Sequence, residues 1–342
     1  MKTNSTLKRL SLLLAVISIY STDSHGQATV EMLAINSKQN TNLLTPVTME
    51  TLTLETTSAI TATAAGTRAA VGRKEFIEVE SNVKLHVTDL GEGRPIVLIH
   101  GWPLSDAMYE YQYQYLMKQG FRVIGITLRG FGQSDKPFGQ YNYDVFADDI
   151  KAVLDELKIE NAVLGGFSMG GATAIHYVAR HKGAHVSKLA LFGAAAPSWT
   201  KGTDSQIGTA KADVDGLIAL NNSNRPKLLE VFGGIFTASE NSVPAGQLAW
   251  LGTINLQASS YAMEQCLILL RDADLRNDLA RVKVPTAIFH GKKDKICPFE
   301  LSSEMQKGIA NSYVVPFENS GHALFLEELD KFNAELLKFS KQ

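Results

Sequence analysis

The reading turns on Val163-Leu164-Gly165-Gly166-Phe167-Ser168-Met169-Gly170-Gly171-Ala172. An apolar run closes on Gly166-x-Ser168-x-Gly170, and a helix-like segment, 172–180, follows. A strand before this pattern and a helix after it is the setting of a nucleophile elbow. The spacing has a steric cause. The serine must sit on a very tight turn, in a strained backbone, so that its hydroxyl stands clear of the sheet. Glycines on either side remove the side chains that would collide across that turn. The helix behind aims its N-terminal N–H groups at the same point, where negative charge would develop on an attacked carbonyl. Alone, the pattern also describes a glycine-rich turn, so the rest of the chain must supply a base and an acid.

Outward from the elbow, strand and helix signals alternate. Segments 75–80 and 83–88 read as strands parted by Ser81-Asn82, a hairpin signal. The run Pro95-Ile96-Val97-Leu98-Ile99-His100 is apolar throughout, as in a strand buried on both faces. A helix is expected over 107–119, a strand over 122–126, and a helix over 143–157 with Phe146, Ile150, Val153 and Leu154 on one side. Downstream, 188–192, 286–290 and 313–316 read as strands and 326–339 as an amphipathic helix. This alternation predicts an α/β fold, a mostly parallel sheet with helices on both faces. Segment 195–281 breaks the rhythm. It has helical patches at 226–232 and 261–270, and it reads as a helical cap inserted over the sheet's C-terminal edge, where ligands bind in open α/β sheets.

The chain has 342 residues, 45% of them hydrophobic, enough for one large core or two small ones. A formal net charge of −2 without basic blocks gives no nucleic-acid footprint. The two cysteines, Cys266 and Cys297, make no disulfide framework, and no Cys/His spacing suggests a metal. At the N-terminus, Lys2, Lys8 and Arg9 precede an apolar run, 10–20, and then small and polar residues, 21–28. This is the three-part pattern of a secretory signal peptide. It is too short for a spanning helix, which needs about 20 apolar residues. The expected organisation is a signal peptide at 1–28, a disordered linker rich in Thr, Ser, Ala and Asn at 29–72, and the catalytic domain at 73–342. Export implies a secreted or periplasmic protein with no stable membrane anchor after processing.

An elbow serine needs a base, and the base needs an orienting carboxylate. In this fold the chain order is serine, acid, histidine. Asp294 follows the strand 286–290, in His290-Gly291-Lys292-Lys293-Asp294. His322 follows the last strand, in Asn319-Ser320-Gly321-His322, and Gly321 lets that loop bend back toward the serine. Ser168, Asp294 and His322 are therefore the expected catalytic residues. His290, inside a strand, is expected to be packed. The loop His100-Gly101-Trp102-Pro103 follows the third strand, where the fold places its second oxyanion donor, so the backbone N–H groups of Trp102 and Met169 are the expected oxyanion hole.

Several segments together resemble the cofactor-free (non-haem) chloroperoxidase, perhydrolase and arylesterase group of α/β-hydrolases. They are His100-Gly101-Trp102-Pro103-Leu104-Ser105, Arg129-Gly130-Phe131-Gly132-Gln133-Ser134-Asp135, Tyr143 to Ile150, Gly166 to Gly171, Val282 to Thr286, and His290-Gly291. The similarity runs from about residue 76 to 339 and is thin in the cap. It implies an α/β-hydrolase fold and hydrolysis of small carboxylic esters with no metal or organic cofactor. It also implies a side reaction in which peroxide replaces water and yields a peracid. Related proteins often form homo-oligomers, though no interface is legible here. In the group a proline at 103 accompanies peracid formation, which marks Pro103 as substrate-positioning. The chain departs from the group at Thr127, where aspartate is usual, at Lys292-Lys293, where Asp-Gly is usual, and at Cys297, where valine is common. The two lysines would favour an ionised Asp294. Ser168 argues against dehalogenases and epoxide hydrolases, which need a carboxylate at the elbow. A non-catalytic ligand-binding protein on this scaffold, or a hydrolase of lipid or peptide bonds, stays open as an alternative.

Overall fold

The apolar runs become the centre of an eight-stranded sheet. The computed structural model describes residues 73–203 and 205–342. It also describes the backbone of two N-terminal strands, Ile17–Thr22 and Ala28–Leu33, which pair antiparallel within a separate unit, Met1–Gly66. Apart from these strands, the expected signal peptide and linker lie outside the described residues.

In the domain, β1 (Phe76–Glu80) and β2 (Val83–Leu90) form a hairpin. Six further strands follow: β3 (Arg94–Ile99), β4 (Phe121–Ile126), β5 (Ala162–Phe167), β6 (Val186–Phe192), β7 (Thr286–Gly291) and β8 (Ser312–Phe317). Their order across the sheet is β8-β7-β6-β5-β3-β4-β2-β1. The pairings from β4 to β8 are parallel, and β2 joins β4 antiparallel. β5 and β7 are buried along their whole length, which is why they read as unbroken apolar runs rather than alternating ones. Chain order reverses between β3 and β5, so the loops leaving those two strands diverge and open a crevice at their carboxyl ends.

The covering helices are α1 (Glu110–Lys118), α2 (Tyr143–Glu156), α3 (Met169–Arg180), then α4 (Lys211–Gly233), α5 (Ala245–Leu256), α6 (Ser260–Asp272) and α7 (Arg276–Leu279) between β6 and β7. α8 (Glu300–Gly308), α9 (Leu324–Glu327) and α10 (Leu329–Lys341) complete the chain. The expected helical cap is present, and α4 is kinked at Asn224, whose φ of −157° and ψ of 76° leave the helical range. The Asn224 side chain caps the second half, accepting from the Lys227 N–H at 3.1 Å, and Pro226 sits in that first turn, where a missing N–H costs nothing. One helix was expected over 326–339; the structure breaks it at Glu328.

Thr127 has a clear place. Its hydroxyl accepts from the Asp106 N–H at 3.1 Å and donates to the Asp106 carboxylate. That buried carboxylate also accepts from Tyr113 at 2.9 Å and from His86 Nδ1 at 3.2 Å. The carboxylate of this region therefore comes from Asp106, and an aspartate at 127 would set two buried like charges face to face. Gly125 on β4 makes room for the pair, since a Cβ there would lie 1.7 Å from the Tyr113 hydroxyl.

The contact between His86 and Asp106 predicts a pH dependence of folding. The Asp106 hydrogen bond, opposed by burial and helped by the charges of Asp106 and Glu75, raises the His86 pKa above its ordinary value. For Asp106, burial pushes upward, but hydrogen bonds from His86, Thr127 and Thr88 outweigh it and leave the carboxyl below its ordinary value. A raised folded-state histidine contributes stability that is full below its unfolded pKa of about 6.5 and is lost as pH climbs through the folded value. The expected outcome is that His86→Gln lowers the thermal midpoint most in mildly acidic buffer, and that the gap to wild type narrows toward alkaline pH. Thermal melts of both proteins across that range check it; a gap independent of pH contradicts it.

Candidate active site

Ser168 sits between β5 and α3 with φ 53° and ψ −119°, a conformation that a side chain other than glycine holds only under strain. The turn is pinned on all sides. Ser168 N–H donates to the Phe192 carbonyl at 2.9 Å, and the Ser168 carbonyl accepts from Gly171, Ala172 and Ala195 at 2.9, 3.1 and 3.1 Å. The glycines are obligatory here. A Cβ on Gly166 would lie 2.3 Å from the Gly170 carbonyl oxygen, and one on Gly170 would lie 2.3 Å from that of His100. Gly170 thus lets the loop after β3 press against the start of α3.

That contact brings Trp102 and Met169 to the same crevice. Among the described residues, neither of their backbone N–H groups has a protein acceptor. The loop itself is held by His100. Its Nδ1–H donates to the Gly101 carbonyl at 2.9 Å while Nε2 accepts from the Leu128 N–H at 3.0 Å, which fixes one neutral tautomer. Burial pushes its pKa down to about 4, with hydrogen bonding to Gly101 opposing, so the ring stays uncharged. Trp102 Nε1 donates to the Met263 carbonyl of α6 at 3.2 Å, tying the loop to the cap. The Trp102–Pro103 bond is cis.

Asp294 and His322 meet as the chain order requires. Asp294 Oδ2 accepts from His322 Nδ1 at 2.7 Å, and both side chains are buried. Asp294 Oδ1 takes the N–H groups of Ile296 and Cys297 at 2.9 and 2.8 Å, so its acceptor capacity on that side is filled by the loop after β7. Lys292 pairs with Glu318 at 3.1 Å. The His322 ring packs against Phe167, with centroids 4.6 Å apart, and edge-on to Phe236 at 5.7 Å. His290 is packed, as expected: its Nε2–H donates to the Cys297 carbonyl at 2.7 Å, and burial lowers its pKa and keeps it neutral beside Asp294. The Ser168 hydroxyl makes no hydrogen bond to His322 and lies beside the Cys297 thiol. Such catalytic bonds commonly tighten only once substrate is bound. Burial, with the Asp294 charge adding, pushes the Cys297 thiol well above its ordinary value, so it remains a thiol and a poor nucleophile.

Two cavities meet at the Trp102–Phe232 pair, and Ser168 lines the smaller. A niche of about 10 Å³ beside Ser168 is walled by Trp102, Ala195, Trp199, Phe232, Leu270 and Ile296. A groove of about 610 Å³ lies between the second half of α4 and α5, floored by Trp102, Pro103 and Leu104. The edge-to-face pair of Trp102 and Phe232, 5.0 Å between centroids, borders both. Phe232 and Phe236 had no sequence signal, because their role depends on the folded position of the cap. Gly193, with φ 48°, is a further residue that sequence reasoning missed.

The sheet order and the elbow define an α/β-hydrolase, and the chain belongs to that family. The alpha/beta hydrolase fold profile matches residues 94–218. More narrowly, its relatives place it in the group of esterases and non-haem haloperoxidases. It is 50% identical over 265 residues to the AB hydrolase superfamily protein YisY of Bacillus subtilis, covering 78% of this chain and 98% of that one. An esterase from Exiguobacterium antarcticum superposes with a TM-score of 0.77 at 42% identity, covering 79% of this chain and 100% of the other. A bromoperoxidase from Bacillus anthracis superposes with a TM-score of 0.75 at 32% identity, covering 78% and 99%.

Gly193 tests how tightly the pair is held. A Cβ there would lie 3.3 Å from His322 Nδ1 and 3.4 Å from Asp294 Oδ2, at a φ that alanine adopts only under strain. Gly193→Ala should push the imidazole off line and lower kcat on p-nitrophenyl acetate by roughly tenfold to a hundredfold. Steady-state kinetics on a folded variant check this, and an unchanged kcat contradicts it.

Proposed function

We propose that the protein is a serine hydrolase of small carboxylic esters. The observation that carries this reading is the 2.7 Å bond from His322 Nδ1 to Asp294 at the carboxyl edge of the sheet that also carries the Ser168 elbow. Ser168 Oγ attacks the ester carbonyl carbon, and His322 Nε2 takes the hydroxyl proton. The carbonyl oxygen becomes an oxyanion received by the N–H groups of Trp102 and Met169. His322 returns the proton to the departing alkoxide, leaving an acyl-enzyme. Water then attacks, gives its proton to His322, and Ser168 is restored as the acid leaves. Asp294 holds the imidazole in the tautomer that presents Nε2 and stabilises its charged form. The niche of about 10 Å³ supports a short acyl group, and the apolar groove beyond it supports a less polar alcohol.

A peroxide-dependent activity goes with this reading. Hydrogen peroxide in place of water at the acyl-enzyme gives a peracid, which oxidises halide in solution. The likeness to a bromoperoxidase supports it, as does Pro103 beside the oxyanion residue. The N-terminal charge and apolar pattern supports export. The mature protein should then lack the residues up to Gly26 or Ala28, and N-terminal sequencing that finds Met1 on the soluble protein of its own host would defeat that reading.

One experiment tests the chemistry. Ester turnover over a series of acyl lengths, with and without peroxide, is measured for wild type and Ser168→Ala. Wild type should prefer acetyl and propionyl esters and form peracid when peroxide is added. Ser168→Ala should lose about 10⁴-fold or more in kcat while staying folded. Ester turnover by Ser168→Ala near the wild-type rate would sink the assignment, and absence of peracid would leave an esterase alone.

A further inference from the structure

The loop that delivers His322 is held by two successive glutamates. Glu328 Oε2 accepts from the Asn319 N–H at 3.0 Å and from the Ser320 hydroxyl at 2.7 Å. Glu327 Oε2 accepts from the Gly321 N–H at 2.6 Å. Each of the three residues before His322 is therefore tied to a carboxylate. Glu328 makes these contacts within its own stretch of chain. Glu327 reaches further. Its Oε1 accepts from the Ala238 N–H at 2.7 Å and from the Ser242 hydroxyl at 2.6 Å, both in the connection between α4 and α5. One carboxylate thus grips the residue before His322 and the cap at once.

The surrounding contacts run the same way. The Ala323 N–H, on the other side of His322, donates to the Phe236 carbonyl at 3.0 Å. A Cβ on Gly321 would lie 2.6 Å from the Ala238 nitrogen, so the two backbones touch with no room to slide. Phe236 also lays its ring edge against the imidazole. Phe236 and Thr237 line the apolar groove. The cap segment 236–242 therefore faces the groove on one side and His322 on the other. Hydrogen bonds to an ionised carboxylate are the strong ones, and three of them converge here.

We propose that Glu327 is a positioning residue for the hydrolytic reaction, locking the His322 loop to cap segment 236–242 so that the docked cap sets the register of the base. It acts through Gly321 and touches neither substrate nor the reacting atoms. The inference rests on the ester-hydrolase reading above. A base displaced by a fraction of an ångström still lets ester bind but accepts the serine proton poorly, so the loss falls on kcat rather than KM.

The test uses the full-length protein and p-nitrophenyl acetate. Glu327→Ala should lower kcat by about tenfold or more with KM within about twofold of wild type, at a temperature where circular dichroism finds it folded. Ser242→Ala, which removes the cap-side hydroxyl and leaves Glu327 in place, should lower kcat several-fold, and should lower it no further when added to Glu327→Gln. A structural role alone would move the thermal midpoint and leave kcat per folded molecule unchanged. An unimpaired kcat in folded Glu327→Ala overturns the proposal. So does a Ser242→Ala effect of equal size in both backgrounds, and that cycle decides the matter if Glu327→Ala does not fold. A wild type with no ester turnover sinks the functional reading and this inference with it; a wild type that turns over ester beside an unimpaired Glu327→Ala sinks this inference alone.

Discussion

The backbone of Ser168 is the constraint on which the rest depends. A non-glycine residue at φ 53° costs on the order of 1–3 kcal/mol, and it persists only where its neighbours over-determine it. Here they do. One N–H and one carbonyl of a single residue make four backbone hydrogen bonds, reaching β6, the start of α3 and the loop after β6. The same turn sets the distance to the loop after β3, because Gly170 stands directly against the carbonyls of Ile99 and His100. Relaxing Ser168 would move the first turn of α3, and with it Met169 and the close approach of Trp102. Ser168, Met169 and the loop that carries Trp102 are thus one mechanical unit.

Asp294 and His322 are held on the other side of the crevice by a different rule, the satisfaction of buried polar groups. Asp294 can be buried because two backbone N–H groups and one imidazole N–H fill its oxygens. Three buried histidines then differ only in their partners. His100 and His290 donate to carbonyls, and burial keeps both neutral, so they serve as struts. His322 donates to a carboxylate, which is the partner that can stabilise an imidazolium. Among the described residues these three rings are told apart by their hydrogen-bond partners, not by exposure, since all three are buried.

This explains what the sequence could and could not show. The Ser168 elbow and the pairing of Asp294 with His322 were legible because each of these residues follows an apolar strand in a fixed chain order. The central strands β5 and β7 were legible because burial on both faces leaves unbroken apolar runs. Residues whose meaning lies in a contact across the chain left no such mark. Gly193 matters because two side chains from later loops come against it, and Glu327 because its two oxygens face different parts of the fold. The single helix expected over 326–339 failed for the same reason. Glu328, at φ −122° and ψ 52°, leaves the helix while its carboxylate holds Asn319 and Ser320. A local rule was overridden by a tertiary one, beside the His322 loop.

The cap was the least legible part, and its attachment shows why that does not loosen the site. Where the cap and its flanking segments hold the loops around Ser168 and His322, they do so largely with backbone atoms. Trp102 donates to the Met263 carbonyl, Trp199 to the Ile296 carbonyl, Ala323 to the Phe236 carbonyl, and Glu327 receives the Ala238 N–H. A backbone group survives nearly any substitution of its own side chain. The side chains of α4 and α5 that face the groove can therefore change the volume and polarity offered to a substrate without removing these bonds. Such a segment has no fixed residue pattern to read. The sheet and its loops place Ser168, Asp294 and His322, and the cap's grip on them is independent of most of its own sequence.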